Sequence, residues 1–247
     1  MDNLIFGIRP VLEAIEAGRQ VDRVFFRKEA QGHLQVELRG ICRQRGIDVQ
    51  EVPPQKLDHL VRGNHQGVVA RMASIAYLSP EEMLAGKPED ETPLVVVLDG
   101  VTDVRNFGAI ARSAECAGAH GIIVPLKNGA PVNAEAIRSS AGALTRIPVC
   151  RTGSIRNTVK MLQSHGLQVI AATEKSSELL FDTDMTLPTA IIMGNEEKGI
   201  SRETLKLCDR QVAIPMIGAV QSLNVSAAAA VMLFEAVRQR IGESVSE

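Results

Sequence analysis

Three short segments of the 247-residue chain concentrate the side chains that could do chemistry. The first reads Asp99-Gly100-Val101-Thr102-Asp103-Val104-Arg105-Asn106-Phe107-Gly108-Ala109-Ile110-Ala111-Arg112. It sets an amide, Asn106, and a guanidinium, Arg112, within two helical turns. The same pattern also describes an ordinary helix start, capped by Asp103 or Asn106, with Arg112 in solvent. The second segment reads Gly194-Asn195-Glu196-Glu197-Lys198-Gly199-Ile200-Ser201. It lacks the spacing of a Gly-rich phosphate loop, and its two carboxylates would repel a phosphate. Its glycines let backbone approach a ligand closely. A plain strand-to-helix turn capped by Ser201 fits it equally. The third segment runs from Ile214-Pro215-Met216 to Ser222-Leu223-Asn224-Val225-Ser226. Ser222 reads as a helix N-cap. Asn224 then falls in the first turn of an apolar helix, where a poor helix former with a buried amide needs partners.

Each segment follows an apolar run, and that is what must position it. Leu94–Leu98, Gly121–Val124, Leu167–Ala172, Ala190–Met193 and Gln211–Ile214 read as strands. Helical spacing covers Asn106–Ala117, Ala134–Ala143, Ile155–His165, Ser201–Leu207 and Leu223–Arg240. Near-continuous apolar strands separated by helices predict a parallel sheet covered on both faces. In such α/β sheets ligands bind beyond the carboxyl ends of the strands, where all three segments fall. Upstream, helices at Ile8–Ala17, His33–Arg45 and from Pro54 alternate with strands at Val24–Phe26, Ile47–Val52 and Val68–Met72. This predicts a small α/β domain over residues 1–75. Residues 76–92 read as a short helix and an acidic linker. Residues 93–247 then form the second domain.

Taken together, the segments resemble the three signature motifs of the SpoU (TrmH) branch of the SPOUT RNA methyltransferases. Asn106–Arg112 is similar to motif one, N-x-G-x-x-x-R. Gly194–Gly199 is similar to motif two, G-x-E-x-x-G. Ile214-Pro215-Met216 followed by Ser222-Leu223-Asn224 is similar to motif three. Ser140-Ala141-Gly142-Ala143 also fits the family pattern. The resemblance covers about residues 93–240. Residues 3–73, with Phe6-Gly7-Ile8-Arg9-Pro10 and His65-Gln66-Gly67-Val68, resemble the L30e-like substrate-binding domain of bacterial 23S rRNA guanosine-2′-O-methyltransferases. Val104 departs from the family, which usually has proline there, and is expected to loosen the loop.

The resemblance implies a C-terminal trefoil knot, an S-adenosylmethionine cofactor, a homodimer and structured RNA as substrate, rRNA ahead of tRNA. Gly194, Ile214 and Leu223 would contact the cofactor, largely through backbone. Asn106, Arg112, Glu196, Ser222 and Asn224 would be the catalytic set. In the family the arginine is proposed as the base that takes the ribose 2′-hydroxyl proton. A guanidinium titrating above about 12 suits a phosphate clamp and alkoxide stabiliser better. Glu196 would pair with or steer Arg112, and Asn106 would orient the ribose or Arg112. Ser222 and Asn224 would bind phosphate or support the site. Arg62-Gly63-Asn64-His65-Gln66-Gly67 is the best candidate for an RNA-contact loop, with an ordinary polar turn as the alternative.

Composition narrows the alternatives. The net charge of −2 excludes a nonspecific polycation. Residues 1–75 carry 11 Lys+Arg against 9 Asp+Glu, a weak positive bias. No apolar run is long enough to span a bilayer, and the N-terminus lacks a signal-peptide pattern, so a cytoplasmic protein is expected. Cys42, Cys116, Cys150 and Cys208 are too widely spaced for a zinc site, and the five histidines are scattered, so no metal is expected. A dinucleotide oxidoreductase would want G-x-G-x-x-G after the first strand, which Asp99-Gly100-Val101-Thr102 does not supply. A catalytically silent RNA-binding protein is the other alternative, and the complete motif set argues against it.

Overall fold

The computed structural model describes residues 3–28 and 32–244. The chain divides into two compact units, one of residues 1–76 with 132–134, the other of residues 77–131 with 135 onward.

The first unit contains β1 (Leu4–Phe6), α1 (Ile8–Glu16), β2 (Val21–Arg27), α2 (His33–Gln44), β3 (Asp48–Val52), α3 (Pro54–Leu60) and β4 (Val68–Met72). The sheet order is β1-β4-β2-β3. Strands β2 and β3 are parallel, and β4 runs antiparallel to β1 and β2. Strand alternation divides the core. Val24, Phe26, Val68 and Ala70 pack with Val11 and Ile15 of α1 and Leu38 of α2. Phe25 and Val69, one residue out of step, pack with Leu57 of α3. Strand β1 was not foreseen, because three residues show no period.

The second unit contains β5 (Tyr77–Leu78), α4 (Pro80–Ala85), β6 (Leu94–Asp99), α5 (Val104–Cys116), β7 (Gly121–Pro125), α6 (Ala134–Ser139) and β8 (Val149–Thr152). There follow α7 (Ile155–Ser164), β9 (Gln168–Ala172), β10 (Thr189–Gly194), α8 (Arg202–Leu205), β11 (Arg210–Val212) and α9 (Val225–Ser244). Seven strands form one sheet in the order β11-β9-β10-β6-β7-β8-β5. Every neighbouring pair is parallel. One face buries Val95, Val97, Val169 and Ile192 against Val159 and Leu162 of α7. Helices α5 and α9 pack on each other, and both bury apolar residues, among them Phe107 and Ile110 of α5 and Met232 and Leu233 of α9.

The segment read as a linker belongs to this unit. Its helix is α4, which buries Met83 and Leu84, and β5 pairs with β8 at the sheet edge. Strand β8 was also missed, since four residues after a proline carry little pattern. Helix α6 stops short of the expected Ala143 because Ala141 and Gly142 take positive φ, 51° and 87°.

The chain builds outward through β6, β7 and β8, then crosses to the other side of β6 for β9, and β10 fills the gap between them. The carboxyl ends of β6 and β10 therefore meet at the switch in winding direction, with Gly194 beside Asp99. Helix α9 is anchored at the opposite end of the sheet. Half-buried Arg240 donates to the carbonyls of Thr92, Pro93, Met185 and Leu187, and its burial lowers its pKa from the usual guanidinium value. Among the described residues, no helix is long and apolar enough to cross a membrane.

Candidate active site

Helix α5 begins firmly despite Val104. The Asp103 carboxylate accepts from the amides of Arg105 and Asn106 at 2.9 and 2.8 Å. Val104 occupies the first helical position, where proline is favoured for its fixed φ but where no amide partner is needed. The loop is thus capped rather than loosened. Gly108, the glycine of motif one, has a packing reason. A Cβ there would lie 2.0 Å from the Ser139 hydroxyl and 2.9 Å from the Ala136 carbonyl, so α6 passes directly over it.

Asn106 unites the three segments. Its Nδ2 donates to Glu196 Oε1 at 2.8 Å, and its Oδ1 accepts from Asn224 Nδ2 at 3.1 Å. Asn224 Oδ1 in turn accepts from the Ser226 amide at 2.9 Å and its hydroxyl at 2.6 Å. The donors run in one direction, from Ser226 through Asn224 and Asn106 to the Glu196 carboxylate. Such a chain polarises each successive bond and ends on a charge-assisted one.

Asn224 rather than Ser222 takes the capping place of α9. Its side chain accepts from Ser226, and its carbonyl accepts from the Ala228 amide at 2.9 Å. Ser222 lies two residues upstream, exposed, with no hydrogen bond among the described residues. Glu196 pairs with Asn106, not with Arg112 as expected. Arg112 is exposed and makes no ion pair or hydrogen bond among the described residues. The cause is helical phase: six residues turn about 240°, so Arg112 leaves α5 on a different side from Asn106.

Glu196 sits in a closed loop. The amides and carbonyls of Asn195 and Gly199 bond reciprocally at 3.2 and 2.9 Å. Gly194 enters this loop with no room for a side chain, since a Cβ would lie 2.4 Å from Gly199 C and Ile200 N. Ser201 caps α8, and its amide donates to Asp99 Oδ2 at 3.0 Å. Sequence reasoning gave Asp99 and Asn195 no role, although both stood within the motif segments.

A cavity of about 610 Å³ opens beyond the carboxyl ends of β9, β10 and β11. Its walls include Gly194, Glu196, Ile214, Ser222, Leu223 and Asn224, six of the eight expected site residues. Asn106 touches two of them, and Arg112 is outside. Glu174, after β9, also lines it and was not anticipated. The volume suits a nucleoside-sized ligand. Apolar Met193, Ile214 and Val225 offer surface for a flat base, and the three carboxylates Glu174, Glu196 and Glu197 outnumber the two ammonium groups Lys175 and Lys198, leaving a small negative balance toward a cation. The residues therefore fit a sulfonium nucleoside. Among the described residues, no group of three or more His, Cys, Asp or Glu is placed to hold a metal.

A parallel α/β sheet with a nucleoside-sized crevice beyond the carboxyl ends of β9, β10 and β11, next to the switch point, is the architecture of a nucleotide- or nucleoside-binding protein. The comparisons with known proteins specify it. The family model described as SpoU rRNA Methylase matches residues 93–234, and one described as RNA 2′-O ribose methyltransferase substrate binding matches residues 4–78. The chain belongs to the SpoU rRNA methylase family; it is an RNA 2′-O-methyltransferase whose cofactor is S-adenosylmethionine. The 23S rRNA (guanosine-2′-O-)-methyltransferase RlmB of Yersinia pestis is 37% identical over 242 residues, 97% of this chain and 98% of that one. An uncharacterized tRNA/rRNA methyltransferase of Mycolicibacterium smegmatis is 38% identical over 240 residues, 96% of this chain and 76% of that one. The SpoU methyltransferase AviRb from Streptomyces viridochromogenes, solved with AdoMet, superposes with a TM-score of 0.62 at 32% identity, covering 97% and 90% of the two chains.

Proposed function

We propose that this enzyme methylates the ribose 2′-hydroxyl of a guanosine in 23S rRNA. One observation carries the catalytic reading: Asn106 ties Glu196 and Asn224 together beside a cavity that suits the cofactor. The choice of RNA is supported by the Yersinia pestis relative, which matches along nearly the whole of both chains.

Gly194, Ile214 and Leu223 hold the cofactor, largely through backbone. S-adenosylmethionine supplies an electrophilic methyl group. The ribose hydroxyl is a poor nucleophile while protonated, so the chain must place its oxygen in line and ease loss of the proton. Arg112, exposed and unpaired among the described residues, clamps a neighbouring phosphate and stabilises the negative charge that builds on the ribose oxygen as its proton passes to solvent water. Asn106 orients the ribose, its own amide held by Glu196 and Asn224. Ser222 offers its free hydroxyl to substrate phosphate.

The domain reading assigns residues 1–75 to an L30e-like substrate-binding domain and residues 93–247 to a SPOUT catalytic domain with a C-terminal trefoil knot. The insertion of β10 between β9 and β6, followed by the return of α9, supports the knot. The Arg62–Gly67 loop is the proposed RNA contact of the first domain. The enzyme works as a cytoplasmic homodimer. Phe234 and Ile241, two turns apart on α9 and 47% and 60% exposed, support an apolar dimer face. A dimer also explains Arg112, which would serve the cavity of the second copy.

Mapping 2′-O-methyl groups in rRNA and tRNA from cells with and without this chain tests the substrate. Loss of one guanosine methylation in 23S rRNA is expected. Loss confined to tRNA would assign the chain to tRNA instead.

A further inference from the structure

The loop that carries Glu196 is fastened by a side chain that the mechanism above does not use, Asn195. Asn195 uses its side chain twice. Oδ1 accepts from the amides of Glu197 and Lys198 at 3.0 and 3.1 Å, which closes the loop from within. Nδ2 donates to the Gly100 carbonyl at 3.0 Å, across 95 residues of sequence. That second bond fastens the loop after β10 to the loop after β6, which leads into α5. Nearby, Ser201 is fastened to Asp99, so the two loops are joined on both sides of Glu196.

Among the described residues, the Glu196 side chain makes no hydrogen bond within either loop. Its carboxylate is exposed and meets Asn106. An exposed glutamate on a loop would ordinarily sample many rotamers. Its position here follows from the backbone on either side of it, and Asn195 sets that backbone. We propose that Asn195 is a positioning residue of the methyl-transfer reaction: it holds the motif-two loop so that Glu196 reaches Asn106. The proposal rests on the role given above to Glu196.

Asn195→Asp and Asn195→Ala separate the two bonds. Asp keeps the acceptor that closes the loop and loses the donor to Gly100. Both variants are made alone and with Glu196→Gln, and kcat, the KM for S-adenosylmethionine and the melting temperature are measured. Single-turnover transfer of labelled methyl reads slow variants. We expect Asn195→Asp to melt within a few degrees of the wild type, keep its cofactor KM within about twofold and lose kcat by at least about tenfold. Asn195→Ala loses at least as much. In the Glu196→Gln background either change costs less than about twofold, since both substitutions remove one interaction. Equal losses in both backgrounds, or a wild-type kcat in Asn195→Asp, would overturn the proposal. A variant that acted only through folding would lower the melting temperature and cost the same with or without Glu196. Should Glu196→Gln alone keep the wild-type kcat, the role of Glu196 fails instead.

Discussion

Asn224 donates to the Oδ1 of Asn106 at 3.1 Å, although 118 residues separate them. With Asn106 already donating to Glu196, both faces of one amide are committed. That leaves one Asn106 N–H for substrate, in a fixed orientation. Replacing Asn106 with alanine removes the side-chain link from Asn224 to Glu196, while Asn195–Gly100 and Ser201–Asp99 still join the first two segments. We expect kcat to fall about 10²- to 10³-fold, the scale of one lost oriented donor. Stability should fall by only about 1–2 kcal/mol, because the site is open to water. Steady-state kinetics and urea melts check both. A wild-type kcat would mean that the network is scaffolding.

Arg112 should affect chemistry and not cofactor binding, because it lies outside the cavity walls. Arg112→Ala is expected to abolish transfer while calorimetry shows a cofactor Kd within about twofold of the wild type. Arg112→Lys should recover a small fraction of activity, since an ammonium keeps the charge but not the planar fork. A weakened cofactor Kd with turnover preserved at saturation would contradict the assigned role.

Gly194 makes the opposite prediction. Its missing side chain is required by backbone 2.4 Å from the Cβ position, which cannot swing aside as a side chain could. Gly194→Ala must shift the loop that bears Glu196. The cost is about 1–3 kcal/mol of stability, with cofactor affinity lost alongside it. Thermal shift with and without S-adenosylmethionine reads both. A normal cofactor-induced shift would show that the loop tolerates displacement.

How much of this could be read from the chain follows from length and period. Helices α1, α2, α5 and α7 carry full turns of apolar spacing, and their bounds were legible to within about two residues. Strands β1, β5 and β8 have three, two and four residues, too few to show alternation. The site residues were legible as types on loops, not as partners. Nothing local tells Glu196 to choose Asn106 over Arg112. That choice depends on the phase of α5 and on the position of β10 beside β6, both tertiary facts. The same holds for Asn224, whose capping role became visible only with Ser226 and Ala228 in place.

The thiols give a test of the cores. Burial pushes Cys42 up to about 11, and pushes Cys150 and Cys208 up to about 12, from an ordinary 9.0. Near Cys208 the carboxylates of Asp209 and Asp99 add to the rise. Cys116 is exposed. A thiol reagent at pH 8 should therefore label one fast cysteine per chain, lost in Cys116→Ser. The raised values also fix a direction for stability. Well below pH 9 all three inner thiols are protonated in both folded and unfolded chains. Above it the unfolded chain ionises first, so stability falls as pH climbs from about 9 towards 12. Urea midpoints that held constant through this range would contradict the burial of these groups.

The shared-site reading admits a complementation test. Arg112→Ala and Glu196→Ala chains are each inactive on the proposed roles. If Arg112 serves the cavity of the second copy, a heterodimer of the two pairs an intact Arg112 with an intact Glu196 in one of its two sites. Random exchange makes half of the dimers mixed, so co-refolded equal amounts should recover about a quarter of wild-type activity. If Arg112 acts within its own chain, every site in every dimer lacks one residue, and the mixture stays inactive. Phe234→Glu supplies the control. A carboxylate on the exposed apolar face of α9 would break the dimer, and light scattering should then report a monomer. That monomer should neither transfer methyl nor complement either partner. A fully active monomer would place the whole site in one chain and leave the free guanidinium of Arg112 unexplained.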